Sequence, residues 1–366
     1  MKTQSTLDGF ECLEDRLLLA GDVAGSVVGG TLFLTGDGLD NWFEIQQFEP
    51  TAFLVIGRDS PGPGGTLAPT TINGMASEVF GGVTNFRVKG NGGDEMIFFN
   101  GDTGQGGLGP ITIPGFVDVK GNNGTDNILY DGVTIRRKST TSGNDGGDTI
   151  QFIDSRVKEK LVINGGNQGD TIATIRSTFD STAVIKGGSG PDRVFLGLQQ
   201  GSLEGATFKS SLNVNLGGNR NFFESTESTF LGITKIRGGG QKDDFDINNS
   251  DFKNKTLITT SGGNDLVEIN DTLFRDSSFK LVTGSGRDKL RVFDSRFDTD
   301  STQFLAGSDN DNFSFNDSFF TGLVDGRAFR GGAGNLDRLN AGLFGADNNN
   351  VFAGGSGKVD GWEKAT

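Results

Sequence analysis

Residues 141–195 read TSGNDGGDTIQFIDSRVKEKLVINGGNQGDTIATIRSTFDSTAVIKGGSGPDRVF. Laid under itself with a shift of twenty-two residues, the stretch matches position by position. Asp148, Asp170 and Asp192 coincide, and the row resumes at Asp243, Asp265, Asp288 and Asp311. Nine residues after each Asp stands a bulky apolar residue, Val157, Phe179, Phe252, Phe274, Phe297 or Phe320. Two residues before that landmark stands a small hydroxyl, as in Ser155, Ser177, Ser250, Thr272, Ser295 and Ser318. One interruption is orderly: seven extra residues within 196–208 move the landmark to Phe208. Asn221 then stands where Asp is expected, with Ser228 and Phe230 following in step.

A period of this length marks a stacked architecture, because one unit cannot bury its own apolar face. The apolar segments are short, alternate with period two (Ile150 and Phe152, Val267 and Ile269, Phe313 and Phe315) and are broken by glycine clusters, so they read as strands. The frames of a leucine-rich horseshoe and of a helical solenoid are absent. Three strands and three turns in twenty-two residues predict an all-β, right-handed parallel β-helix. A β-propeller built from paired repeats is the competing stack, without its tryptophan-aspartate signature. Eleven rungs count from the loop at Asp94 to the loop at Asp337. At about 4.8 Å per rung they form a rod of about 50 Å, with Phe stacked on Phe along its interior.

Read outward from the repeat, the chain divides into a short N-terminal segment (1–22), irregular first coils and a cap (23–88), the repeats (89–345) and a C-terminal cap (346–366). The net charge of −14 and the pI near 4.5 argue against nucleic acid as a partner, since its phosphates need a basic face, and favour cations as small partners. The chain has no histidine and a single cysteine, Cys12, which removes Ser-His-Asp triads, the usual zinc sites and disulfide frameworks. The first residues hold an apolar run of only Leu17 to Ala20, too short for a signal-peptide core or a membrane span. No anchoring tail is evident after Trp362.

Within that N-terminal segment, Leu13, Glu14, Asp15, Arg16, Leu17, Leu18 and Leu19 resemble the short LEPR-x-LL motif at the start of many large secreted or surface proteins of planctomycete bacteria, with Asp15 in place of proline. The resemblance implies export, hence an extracellular or cell-surface location. The loops GNNGTDN, GNDGGDT, GGNQGDT and GGSGPDR resemble the glycine-rich nonapeptides of hemolysin-type calcium-binding β-rolls. That likeness implies Ca2+ held by the loop Asp and by loop carbonyls, a set of oxygen donors suited to a hard cation. It is partial, since one loop occurs per coil where the β-roll has two. The residues it marks as metal ligands are Asp126, Asp145, Asp148, Asp170, Asp192, Asp265 and Asp311. Asp126, Asp148 and Asp170 come first, because no base adjoins them and Asp145 adds a carboxylate.

The competing reading makes each Asp a turn cap accepting backbone N–H groups. Stacked carboxylates 4.8 Å apart repel by only about 0.9 kcal/mol in water, so such a row needs no ion. Arg193, Lys242, Arg287 and Lys289 flank the Asp row and are expected to offset its charge. At the second turn, Asp154, Asn249, Asp271, Asp294 and Asp317 precede Ser or Thr and read as a side-chain ladder, which also accounts for the N-x-S/T triplets at Asn248, Asn270 and Asn316.

Carboxylates that the repeat itself generates carry no catalytic signal, so a catalytic site should break the repeat. The breaks, near 100–110, 196–208 and before Arg330, are small and polar, and Tyr130, Trp42 and Trp362 are the only Tyr and Trp in the chain. The expected function is a secreted or cell-surface structural or adhesive module without catalysis, whose partner is an extracellular polysaccharide or another surface component. The alternative is a β-helix that binds or degrades polysaccharide.

Overall fold

The computed structural model describes residues 21–61, 67–102, 104, 106–197 and 205–320, and short strands between Phe329 and Lys364. The N-terminal motif, the inserted residues 198–204 and most of the C-terminal cap lie outside the described residues. So do Asp337 and Trp362.

The chain winds through three sheets in strict rotation. Ser139–Asp145 lies in the first sheet, Thr149–Ile153 in the second and Arg156–Val157 in the third. The next coil repeats the visit with Leu161–Asn167, Thr171–Ile175 and Thr178–Phe179. Each strand pairs in parallel with its successor one coil on: Ser139 faces Leu161, Thr149 faces Thr171 and Arg156 faces Thr178. No α-helix occurs among the described residues, and no helix is long and apolar enough to cross a membrane. The stacked reading therefore holds as a parallel β-solenoid, with a rung of 22 residues that lengthens to 23 after Asp265.

Period-two alternation sets which side chains enter. Ile150 and Phe152 are buried while Thr149 and Gln151 lie on the outer face. The insertion at 196–208 leaves the register intact, with Phe179 facing Phe208 and Phe208 facing Phe230. It leaves the coil at the corner between the second and third sheets. The insertion at 100–110 leaves at the same corner, after Met96–Asn100 and before Ile111–Ile113.

The interior carries one continuous aromatic column. It begins in the second sheet, where Phe99, Tyr130 and Phe152 stack at centroid distances of 4.9 and 4.3 Å. It crosses to the third sheet through an edge contact between Phe152 and Phe179 at 6.0 Å. From there Phe179, Phe208, Phe230, Phe252, Phe274, Phe297 and Phe320 stack with centroids 4.3–5.4 Å apart. The crossing conserves volume. Ile135 and Val157 occupy the third sheet beside Tyr130 and Phe152, and Thr174 takes the second-sheet position once Phe179 has entered. Tyr130, wholly buried, keeps its hydroxyl paired with Thr141 Oγ1 at 2.8 Å.

At the N-terminal end the pairing turns antiparallel. Asp22–Val28 folds back on Thr31–Thr35, and Trp42–Glu49, Ala52–Gly57 and Ser77–Phe80 form a meander. Phe53 from this meander meets the ring of Phe86 edge-on at 4.8 Å, so the hairpins seat their apolar face on the first parallel rung.

Candidate functional site

The glycine loops deliver the recurring Asp into the interior. Ten side chains occupy one position of the coil: Glu95, Asp126, Asp148, Asp170, Asp192, Asn221, Asp243, Asp265, Asp288 and Asp311, and every one is almost wholly buried. The N–H of Asp126 donates to Asp148 Oδ1 at 2.8 Å, that of Asp148 to Asp170 Oδ1 at 2.8 Å and that of Asp170 to Asp192 Oδ1 at 2.9 Å. The same bond joins Glu95 to Asp126, Asp192 to Asn221, Asn221 to Asp243, Asp243 to Asp265, Asp265 to Asp288 and Asp288 to Asp311, at 2.7–3.0 Å. From Asp126 onward each side chain thus caps the main chain one coil earlier. The turn cap of the sequence reading is present, but it closes mainly between coils; only Asp243, among the described residues of the row, also accepts a main-chain N–H of its own loop, from Gly239 at 2.6 Å.

The second oxygen explains the glycines. A Cβ at Gly121, Gly143, Gly165, Gly187 or Gly238, five residues before the respective Asp, would stand 1.8–2.4 Å from Oδ2 of Asp126, Asp148, Asp170, Asp192 or Asp243. At these five rungs the missing side chain leaves the space that the carboxylate fills. At later rungs Thr260 and Thr283 take this place, and Thr260 Oγ1 donates to the Thr283 carbonyl at 2.7 Å.

Oδ2 of Asp148, Asp170 and Asp192 is shut away from solvent with no hydrogen-bond partner among the described residues. Burial disfavours the charged form. It pushes Asp148, Asp170 and Asp265 up to about 7 and Asp192 and Asp288 to about 6, with the neighbouring carboxylates adding to the rise at Asp148, Asp170 and Asp265. Asp126, Asp243 and Glu95 rise for the same first cause. The flanking bases do not reach this row. In a strand the neighbours of an inward residue point outward, and Lys242 pairs with Asp244 at 2.9 Å, not with Asp243. The water-based repulsion of 0.9 kcal/mol is likewise the wrong reference for carboxyls held inside.

Asn221 shows what the row accepts in place of a carboxylate. Its Oδ1 takes the Asp192 N–H at 3.0 Å, and its Nδ2 donates to the Asn219 carbonyl at 2.6 Å and to Asp243 Oδ1 at 3.0 Å. Where the sequence placed Asp94 on the row, the structure places Glu95. Asp94 sits one position earlier, accepting from Thr125 N–H at 2.7 Å. Asp145 does not join the row; it is exposed on the loop, where Asn167 Nδ2 donates to it.

Calcium takes six to eight oxygens at about 2.3–2.6 Å. The Asp row does not fit that demand. One oxygen of each Asp holds a main-chain N–H, and Oδ2 of Asp148, Asp170 and Asp192 is sealed against its glycine. No three acidic groups converge on a metal-sized point among the described residues.

The second turn carries its own ladder, made of hydroxyls. Ser155 N–H donates to Ser177 Oγ at 3.0 Å, Ser228 N–H to Ser250 Oγ at 3.3 Å and Thr272 N–H to Ser295 Oγ at 3.2 Å. Asp154, Asn249, Asp271, Asp294 and Asp317 precede these hydroxyls with φ of 44–47°. That left-handed turn directs their side chains outward, where Asp154 accepts both a 2.7 Å and a 2.6 Å bond from Arg176.

Beside the break at 196–208 a surface cleft of about 610 Å³ is lined by Arg193, Phe195, Arg220, Phe222, Glu224 and Asp244. Arg220 and Lys242 tie down Asp244 at 3.1 and 2.9 Å. Glu224 is pushed up by burial and accepts from Thr226 Oγ1 at 3.0 Å. The chain matches no protein-family model and no curated protein.

Proposed function

We propose that the chain is a secreted or cell-surface β-solenoid that acts as a structural and adhesive module without catalysis. The observation that carries this reading is the fate of the recurring carboxylates. They are the most abundant chemical feature of the repeat, and they are engaged in holding one coil to the next. In this reading the rod is complete without a metal, and the LEPR-x-LL-like residues 13–19 support its export. Its working surfaces are then the outer faces of the sheets.

The degradative alternative would draw on Glu224 and Asp246, which face each other on adjacent strands of the second sheet. Both already have partners on their own strands, Thr226 for Glu224 and Asn248 for Asp246 at 2.8 Å. Two measurements test the proposal. Reducing-end and unsaturated-product assays on acidic and neutral polysaccharides are expected to show no turnover; turnover lost in Glu224→Gln or Asp246→Asn would replace the proposal with the enzyme. Thermal melts in EGTA and in millimolar calcium are expected to coincide, since only a ligand of the folded state raises its stability. A rise with calcium would return the loops to metal binding.

A further inference from the structure

Among the described residues the first sheet of this acidic chain carries a basic face. The ten first-sheet strands from Asn85–Asn91 to Ser301–Ser308 hold seven Lys or Arg and two acids, Asp118 and Asp145. The ten matching second-sheet strands hold three bases and five acids. Arg87, Lys89, Lys120, Lys186, Lys235 and Arg237 all stand exposed on that outer face. None forms an ion pair among the described residues, whereas Arg137, Arg156, Lys209, Arg220, Arg275 and Arg291 on the other surfaces do.

The face holds both like and opposite charges in register, with Asp118 opposite Arg87. Lys89 and Lys120 face each other directly across adjacent strands, where like charges are unfavourable, and Lys235 and Arg237 alternate onto the same outer side of one strand. Lys138 and Lys160 extend the face along its edge, one coil apart. Arg87 lies over the rings of Phe33 and Phe116 at 5.9 and 5.6 Å, so the face also presents aromatic surface at its N-terminal end. From the strand of Lys89 to that of Lys280 there are nine strands, spanning about 40 Å, and five of them carry Lys or Arg.

We infer that this first-sheet face binds an extended acidic polysaccharide, one bearing carboxylate or sulfate groups along its length. Lysine is a compact, freely rotating point charge, suited to anions spaced along a flexible chain and not to a fixed bidentate geometry. Bases distributed along a row of nine stacked strands fit a linear polymer better than a small ligand. The net charge of −14 disfavours polyanions on the acidic surfaces, such as that of the second sheet, and so favours this face. The inference rests on the adhesive reading above and names the partner class for it.

The test compares the full chain with the variant K120Q/K186Q/K235Q/R237Q and with a charge-matched control, R137Q/K209Q/K253Q/R291Q, drawn from paired bases on other surfaces. Binding is measured to polygalacturonate, dextran sulfate, neutral dextran and duplex DNA across a salt series, with sedimentation to read self-association. The wild type is expected to bind the two acidic glycans and not neutral dextran. The first variant should weaken that binding about tenfold, equivalent to 1.4 kcal/mol over four exposed ion contacts, and flatten the salt dependence. The control should bind as the wild type does. Equal losses in both variants, absence of acidic-glycan binding, tighter binding to DNA, or self-association lost only in the first variant would each overturn the inference. Binding to neutral dextran that is indifferent to both variants would also overturn it, yet leave the adhesive reading standing. Glycan turnover would instead remove the adhesive reading.

Discussion

Replacing Asp170 by Asn should leave the solenoid as stable as the wild type in acid and make it more stable in mild base. Asp170 stands in the middle of the carboxyl ladder. Its Oδ1 holds the Asp148 N–H at 2.8 Å, and Oδ2 is enclosed beside Gly165 without a partner among the described residues. An amide keeps the acceptor and turns the second atom into a donor, the state that Asn221 already occupies with its 2.6 Å bond to the Asn219 carbonyl. Burial, followed by the charges of Asp148 and Asp192, raises Asp170 from 3.8 to about 7. A carboxyl whose folded value lies above its unfolded value contributes stability that is fully present below about pH 4. That stability is lost as the pH rises through about 7. Between pH 5 and pH 8 the single group accounts for at most about 3 kcal/mol. Asp170→Asn removes that dependence. At pH 5 it should change stability by less than about 1 kcal/mol, and at pH 8 it should raise the melting temperature by about 2–6 °C. Asp170→Ala deletes the acceptor and strands a buried N–H, so it should lose about 2–4 kcal/mol at pH 5. Thermal melts followed by circular dichroism from pH 5 to pH 8 at constant ionic strength read all three proteins. Asn proving as damaging as Ala at pH 5, or a wild type that melts higher at pH 8 than at pH 5, would refute the reasoning.

Three further outcomes follow from the same geometry. Gly187→Ala puts a Cβ 2.4 Å from Asp192 Oδ2 and 2.5 Å from the Leu216 carbonyl, and should destabilise by about 1–3 kcal/mol in a denaturant melt. Ser250→Ala removes the hydroxyl that accepts the Ser228 N–H and donates to the Asn248 carbonyl at 2.9 Å. It is expected to cost about 1–3 kcal/mol, with Ser250→Thr restoring most of it because Thr272 fills the same place one coil on. Phe252→Ala opens the aromatic column between Phe230 and Phe274, at 4.3 and 4.8 Å, and should cost about 3–5 kcal/mol. Hydrogen exchange should quicken first in the adjoining coils, because each coil contacts only its neighbours.

Much of the fold is legible in the one-dimensional repeat. Equal spacing of Asp148, Asp170 and Asp192 dictates that they stack, and the alternation of Ile150 and Phe152 dictates which side chains enter. The Phe landmarks then form a column even across the seven-residue insertion at Phe208. These features follow from periodicity, because a repeat that must pair with itself has only one register that buries every apolar position. The shift of the aromatic column from the second sheet to the third was also present in the sequence, in the exchange of Phe152 and Val157 for Thr174 and Phe179.

Other properties belong to the coiled chain alone. Whether the loop Asp faces a cation or the core depends on an N–H about one coil away and, from Asp126 to Asp192 and at Asp243, on the space left by a glycine five residues earlier, and neither is visible from spacing. At the second turn the left-handed backbone at Asp154 and Asp271, and not the period-two rule, sends those side chains outward and leaves the hydroxyls to form the ladder. The basic face is the clearest case. Lys89, Lys120, Lys186 and Arg237 are scattered through an acidic sequence and carry no local pattern, yet they align on one sheet once the chain is wound. Periodicity settles what must be buried because burial is collective, whereas the direction of each polar group is settled by partners that only winding brings within a few ångströms.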